Sequence, residues 1–362
     1  MLDRVREFFH KYERYVSPVT LVFGFTFDNL TLRRIDTLYS NFLLISYLII
    51  SAGSILLLNI HVTRRTRQAR ERSETIHAIF VFLMQFCLGG LFSASFLFYS
   101  RSGSILSSWP FLLMLVGYII GNEVLRKNYI RLGFQISVFF TALFSFLIFF
   151  LPVILGKIGD DIFLLSGVAS LMITGVFIYV LSWVATERTR KSGPILFLAI
   201  GGLFSLINIL YFTDLIPPIP LALKEVGIYR SLSRLPDGTY ETLGEPQQWF
   251  TLFAPQPVVH YVSGQPLFAF SAIFAPANLN TDIIHEWQMY DPTTHVWKTF
   301  GKIDLGISGG RALGYRTYSE EPSIQPGLWR VNVETPRGQI LGSMVFTVEP
   351  PSDGEKLITS IK

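Results

Sequence analysis

Gly306-Ile307-Ser308-Gly309-Gly310 has the form G-x-S-x-G, which in some hydrolases presents a serine nucleophile on a sharp strand-to-helix turn. That chemistry needs a helix directly after the serine. Residues 311–319 read as a strand, so the stretch predicts a β-turn instead. His260, His285 and His295 are the residue type of a zinc triad, yet they fall in three separate segments without H-x-H or H-x-x-x-H spacing. Asp282 and Glu286 would share one face of a strand, but that spacing does not set the carboxylate separation that glycoside hydrolysis requires. The patterns therefore predict no catalytic residue, no metal site and no cofactor, and the chain is expected not to be an enzyme.

A second set is aromatic and basic: Trp297, Tyr315, Arg316 and Tyr318, together with Arg311 and His285. Exposed rings stack on sugars, and guanidinium groups fork onto carboxylates or phosphates. These six residues are the predicted contacts for a ligand or partner. Trp287 and Trp329, in alternating apolar runs, are expected in a core instead.

Two unlike halves must position these groups, and they meet at Ile216-Pro217-Pro218-Ile219-Pro220. Half of the residues are hydrophobic and the mean hydropathy is +0.43, too apolar for one large soluble domain. Up to Phe212 there are 19 Lys and Arg against 11 Asp and Glu, a net +8; from Thr213 on there are 11 against 15, a net −4. The basic residues sit between apolar blocks, which marks membrane topology and excludes nucleic acid as the expected partner. The single cysteine, Cys87, excludes an intramolecular disulfide.

Residues 1–16 are expected to form an amphipathic helix, lying on a membrane surface or packed on the protein. Residues 17–212 are the predicted transmembrane helical domain. Leu38 to Ile60, Ile76 to Tyr99, Gly103 to Val124, Leu132 to Leu155, Ile162 to Val184 and Pro194 to Phe212 are each near the length of one crossing. The short segment 17–28 makes seven, or six if it does not cross. The loop arginines and lysines then divide about 15 to 4. This bias predicts a multi-pass protein of the bacterial inner membrane, N terminus cytoplasmic and C-terminal domain periplasmic or otherwise extracytoplasmic.

Between Leu38 and Phe212 the deep polar residues are mainly Gln85, Asn208 and scattered Ser and Thr, which disfavours ion-driven transport. Asp28 is the exception: it reads as an interfacial loop acid that Arg33 and Arg34 are near enough in sequence to pair with, the alternative being a functional intramembrane acid. Gly117 and Gly121 form a GxxxG pair, read as a helix-packing site.

Residues 213–224 read as a stiff proline-rich exit linker, since proline fixes φ and removes amide donors. From 225 to 350 the hydrophobic period becomes two. Trp329, Val331 and Val333 alternate with Arg330, Asn332 and Glu334, and turns recur at Pro236-Asp237-Gly238, Gln325-Pro326-Gly327 and Pro336-Arg337-Gly338. An all-β, Ig-like antiparallel sandwich of seven to nine strands is expected. Residues 351–362 read as a flexible tail.

His285-x-Trp287, Arg316-x-Tyr318-Ser319, Pro326-Gly327-x-Trp329-Arg330-Val331-x-Val333, Gly338, Leu341-Gly342 and Phe346-x-Val348 resemble a C-terminal domain of unknown function. That domain belongs to an uncharacterised family of bacterial polytopic membrane proteins. The resemblance covers most of the chain and implies no catalytic residue, cofactor or substrate. A second Arg or Trp is expected just before Arg316, where this chain has Gly314-Tyr315.

The expected function is a non-enzymatic membrane protein presenting an extracytoplasmic binding module to an envelope glycan or a partner membrane protein. One alternative is a bundle that moves lipids or other hydrophobic molecules, with the sandwich as its lid. Another is an accessory subunit of a larger membrane complex or oligomer.

Overall fold

The computed structural model describes residues 26, 28–32, 37–63, 70–246, 256–260, 264–277, 279–311, 313–351 and 357–362. The segment 1–16 and most of 17–28 lie outside these residues, as do Arg33, Arg34 and the basic stretch 64–69. The chain forms two compact units. One comprises residues 1–99, 109–154 and 159–216, the other residues 100–108, 155–158 and 217–362.

The helices are α1 (Leu38–Thr63), α2 (Arg70–Ser102), α3 (Ile105–Val124), α4 (Leu132–Leu155), α5 (Asp160–Val184) and α6 (Thr186–Phe212). A short 3-10 helix, Arg126–Ile130, leads into α4. Among the described residues, five of these are long and apolar enough to cross a membrane; α3 carries Pro110 inside its 20 residues. Five of the seven expected crossings thus coincide with described helices of sufficient length and apolarity, and the segment 17–28 lies mostly outside the described residues. In α4, 72% of the apolar window is buried in protein, against 28% in α5 and 22% in α6. The outer pair leaves Trp183, Phe197 and Leu198 at least 70% exposed. Large apolar side chains left open all round a helix are stable against lipid, which solvates them without cost.

Close helix approach rests on glycines other than the expected pair. A Cβ at Gly90 of α2 would stand 2.6 Å from the Tyr47 ring of α1, and one at Gly167 of α5 3.0 Å from Phe204 of α6. A Cβ at Gly117 would meet nothing within 4 Å, and one at Gly121 only Leu125, at 3.7 Å. GxxxG spacing marks a face that lets a helix approach, not whether a helix comes.

The C-terminal part is strand-rich. Its strands are β1 (Ala222–Tyr229), β2 (Ser231–Arg234), β3 (Tyr240–Gly244), β4 (Val258–His260), β5 (Leu267–Phe274), β6 (Asn280–Asp291), β7 (Val296–Ser308), β8 (Tyr315–Glu321), β9 (Gly327–Glu334), β10 (Ile340–Glu349) and β11 (Ile358–Ile361). They form a five-stranded sheet in the order β4-β10-β9-β6-β7 and two three-stranded sheets, β1-β5-β8 and β11-β3-β2. The first two enclose one core: Ile283 and Trp287 of β6, Trp329, Val331 and Val333 of β9, and Phe346 of β10 pack with Ala269 and Ile273 of β5 and Val226 of β1. The third sheet covers the other side of β5, where Tyr240 packs with Tyr229 and Phe270.

Against the seven to nine antiparallel strands expected, eleven are seen among the described residues, and β4 runs parallel to β10. Strand β1 begins inside the expected linker 213–224. The expected flexible tail ends in β11, which pairs with β3, while Lys362 and Tyr240 exchange backbone hydrogen bonds of 2.8 and 2.9 Å. Its ammonium also pairs with the Glu225 carboxylate. Four residues are too few to show a period of two.

Candidate functional site on the two faces of the five-stranded sheet

Alternation along β6 sends His285 and Trp287 inward and Glu286 and Gln288 outward. Inside, His285 has no exposed surface. Its Nε2 lies 2.8 Å from Ser271 Oγ on β5 and its Nδ1 2.9 Å from Ser319 Oγ on β8; Trp287 Nε1 donates to the same Ser319 oxygen at 3.0 Å. Burial pushes the ring down to about 3, so it stays neutral, with one nitrogen donating and the other accepting. The group is a polar bridge between two sheets. Sealed from solvent, this Ser-His pair has no path to a substrate, and it explains why His-x-Trp and Tyr-Ser belong to one pattern.

Outside, Glu286 and Glu334 are 7% and 4% exposed and share Lys302, whose Nζ stands 3.2 and 3.1 Å from their Oε1 atoms. Thr299 Oγ1 donates to Glu286 at 2.9 Å, Asn332 Nδ2 donates to its other oxygen at 3.2 Å, and Ser343 Oγ donates to Asn332 Oδ1 at 2.7 Å. Burial alone would raise Glu286; hydrogen bonds from Thr299, Asn332 and Lys302 outweigh it and hold the carboxyl below its ordinary value. For Glu334 burial wins over Lys302, and its carboxyl is raised. Beside them Arg330 donates through Nε to Gln288 Oε1 at 3.0 Å and lays its guanidinium 4.4 Å from the Trp297 ring centre. Tyr290 meets Trp297 edge-on at 5.3 Å. This half-covered layer of ring, guanidinium, amide and carboxylate can stack on a flat apolar group and hydrogen-bond its rim.

The six predicted contacts do not share one surface. Trp297 lies in the outer layer just described. Arg316 and Tyr318 face outward from β8 on the other sheet, where Tyr318 packs against Tyr240 and Phe268. Tyr315 points the other way, against the main core, with Arg311 over its ring at 5.0 Å. His285 is interior and is withdrawn as a contact. A period of two sorts residues to faces but not between sheets. The outer-layer residues Glu286, Gln288, Lys302, Arg330, Asn332 and Glu334 were readable as the polar phase of β6, β7 and β9. Their grouping needed the β7-β6-β9 order.

Ser308 ends β7, and Gly309 and Gly310 continue as irregular backbone, their N–H groups donating to the Leu279 and Ala275 carbonyls at 2.8 and 3.1 Å; Gly310 has φ +94°. The three histidines stand apart: His260 beside Glu245, His285 in the core, and His295 at the β6-β7 hairpin tip, hydrogen-bonded to Tyr290.

The helical unit buries a neutral chain of its own. Asn59 Nδ2 donates to Gln135 Oε1 at 2.8 Å, Gln135 donates to the Tyr129 carbonyl, and the Tyr129 hydroxyl donates to Asn122 Oδ1. Asn122 and Gln85 each donate to the other's carbonyl at 2.8 Å. Of the two deep amides singled out in the sequence, Gln85 joins this chain. Asn208 donates to the Phe204 carbonyl of its own helix at 2.8 Å.

No curated protein matches the chain. Among solved structures, it is similar over 34% of its length to a beta-glucosidase from Listeria innocua in complex with gluconolactone, at 14% identity and a TM-score of 0.20. It spans only 16% of that enzyme. It is also similar, at 11% identity and a TM-score of 0.19, to Pseudomonas fluorescens alkylpurine DNA glycosylase AlkC bound to DNA containing an abasic site analog, over 87% of this chain and 99% of that one. Residues 280–348, which hold the whole outer layer and all of the His285 bridge except Ser271, match the family model of a protein of unknown function, DUF2914.

Proposed function

We propose that this is a non-enzymatic integral membrane protein whose β unit is a binding module held outside the cytoplasm. Its occupant is an envelope component, a glycan or a partner membrane protein, and the contact surface is the outer layer around Trp297 and Arg330. The observation that carries this reading is the Arg330 guanidinium, fixed by Gln288 and laid on the Trp297 ring, beside two carboxylates held by one lysine. Pre-ordered aromatic and planar polar groups recognise ligands at little entropic cost. The loop-charge bias supports the orientation.

The test is titration of the full-length protein in lipid nanodiscs with soluble cell-wall glycan fragments, read by calorimetry. Trp297→Ala should weaken binding at least tenfold, and Tyr318→Ala should leave it unchanged. Equal binding by wild type and Trp297→Ala, or the opposite ranking of the two variants, would overturn the assignment of this face.

A second reading, as a subunit of a larger membrane complex, is favoured by α3. Trp109, Leu113, Ile120 and Val124 are each more than half exposed, and among the described residues nothing approaches the Cβ position of Gly117 between them. Bulky residues introduced at Gly117 should then release copurifying subunits.

A further inference from the structure

Strand β11 ends the small sheet β11-β3-β2, and from Ile358 to Ile361 it carries no ionisable residue. Each of the other edge strands among the described residues carries at least one: Lys224 in β1, Arg234 in β2, His260 in β4, Lys302 in β7 and Arg316 in β8. Charged side chains guard an open edge, because symmetric pairing with a second copy would set like charges together. Strand β11 is apolar and faces solvent instead: Leu357, Ile358 and Ile361 are 40%, 49% and 69% exposed, and Thr359 is exposed as well.

The ladder to β3 fixes which groups this edge offers. Lys362 and Tyr240 exchange both backbone hydrogen bonds, and the register continues with Ser360 opposite Thr242 and Ile358 opposite Gly244. Hydrogen-bonded pairs alternate in an antiparallel ladder, so residues 358, 360 and 362 turn their backbone groups toward β3. Leu357, Thr359 and Ile361 turn theirs to the opposite edge, and strand alternation puts their side chains on one face. Lys362, on the other face, reaches Glu225 of β1. The same three residues therefore supply both the outward backbone groups and a shared outer face.

We infer that the β11 edge is a docking surface for β11 of a second copy of this chain, paired antiparallel about a two-fold axis with Thr359 opposite Thr359. Opposed residues in such a pair must lie on the same face, which leaves few registers. The register centred on Thr359 engages the outward backbone groups of all three residues. Each Leu357 then meets the other copy's Ile361, so an apolar pair forms on either side of a Thr359–Thr359 pair, and the two small sheets become one. This pairing is independent of the role proposed for the outer layer on β6, β7 and β9.

The experiment uses the full-length protein with Cys87→Ala, which removes its single native cysteine, reconstituted at low density in liposomes and oxidised with copper phenanthroline. Opposed residues of a hydrogen-bonded antiparallel pair have Cα atoms about 5.5 Å apart, within disulfide reach. Thr359→Cys should therefore cross-link to a dimer at least fivefold more than Ile361→Cys, whose two copies stand roughly 14 Å apart along the strand. Subunit counting by single-molecule photobleaching in liposomes is the second readout. Ile361→Pro removes an amide donor on the outer edge while keeping the ladder to β3, and should weaken dimerisation at least tenfold. The cysteine ranking stands as a test by itself if the proline variant fails to fold. A wild type that stays monomeric at every density, cross-linking at 361 equal to or above that at 359, or a dimer indifferent to Ile361→Pro overturns the pairing.

Discussion

His285 and Glu286 are consecutive residues on opposite faces of one sheet, both nearly or fully out of solvent, and they keep their polar groups by opposite means. On the inner face no charge survives. The imidazole is neutral and is satisfied by two serines and, through Ser319, a tryptophan. On the outer face the charge is kept, because the flexible stem of Lys302, itself about half exposed, reaches across to two carboxylates. Burial by itself does not decide whether a group ionises; what decides is whether a counter-charge can reach it from the water side.

The comparison breaks most visibly on the inner face. Trp287→Ala removes a fully buried indole and the hydrogen bond to Ser319, and His285→Ala strands Ser271 and Ser319; each should cost about 3–5 kcal/mol. Hydrogen exchange of β6 and β9 amides in the full-length protein measures this loss within the β unit, without requiring the whole chain to unfold in one step. Protection unchanged in both variants would mean that the bridge contributes nothing to the fold.

The same bridge sets a pH dependence whose sign is fixed. The ring's ordinary value of 6.5 holds in the unfolded chain and about 3 in the folded one, so between these limits only the unfolded chain takes the proton. Stability is therefore full above about pH 6.5 and falls as pH drops toward 3, by on the order of 4 kcal/mol across the window. Carboxylates titrate in the same range, so the informative quantity is the difference between wild type and His285→Phe. The variant should lose this slope. Parallel pH profiles would show that the ring is not desolvated as described.

Much of this architecture was legible in the sequence. Trp287, Trp329, Val331 and Val333 were read as core from their alternation, and all are buried. Five long apolar helices followed from block length alone. What failed to show depends on pairing across distance. Ser271 lies 14 residues from His285 and outside its strand, so no local spacing ties them. Trp297 and Tyr318 look alike as exposed aromatics, yet belong to different sheets.

On the outer face the two glutamates should respond with opposite signs. Glu286 is held below its ordinary value, so its stabilisation is present at neutral pH and lost in acid; Glu286→Gln should destabilise at neutral pH and make little difference in acid. Glu334 is raised, so its folded form favours the proton and ionisation at neutral pH costs stability; Glu334→Gln should be neutral or stabilising. Lys302→Met leaves both carboxylates without their cation and should cost about 1–3 kcal/mol, the lysine's exposure keeping it below a fully buried pair. Combining Lys302→Met with Glu334→Gln should recover part of that loss. The same amide-exchange measurement decides, and equal effects of the two Glu→Gln changes would show that the lysine does not discriminate between them.

The smallest effect separates binding from folding. Arg330→Ala removes a cation-π contact on a half-covered ring and one side-chain pair with Gln288, worth about 1 kcal/mol together. Arg330→Lys keeps the charge but loses the planar fork, and should cost stability by a similar amount or less. If the outer layer is a recognition surface, both variants should lose glycan-fragment affinity by far more than their stability loss accounts for, because a guanidinium fixed on a ring is spent on orientation rather than on the core. If affinity and stability fall together, in proportion, Arg330 is one more member of the network that keeps Glu286 and Glu334 in place, and the inner and outer faces differ in charge but not in purpose.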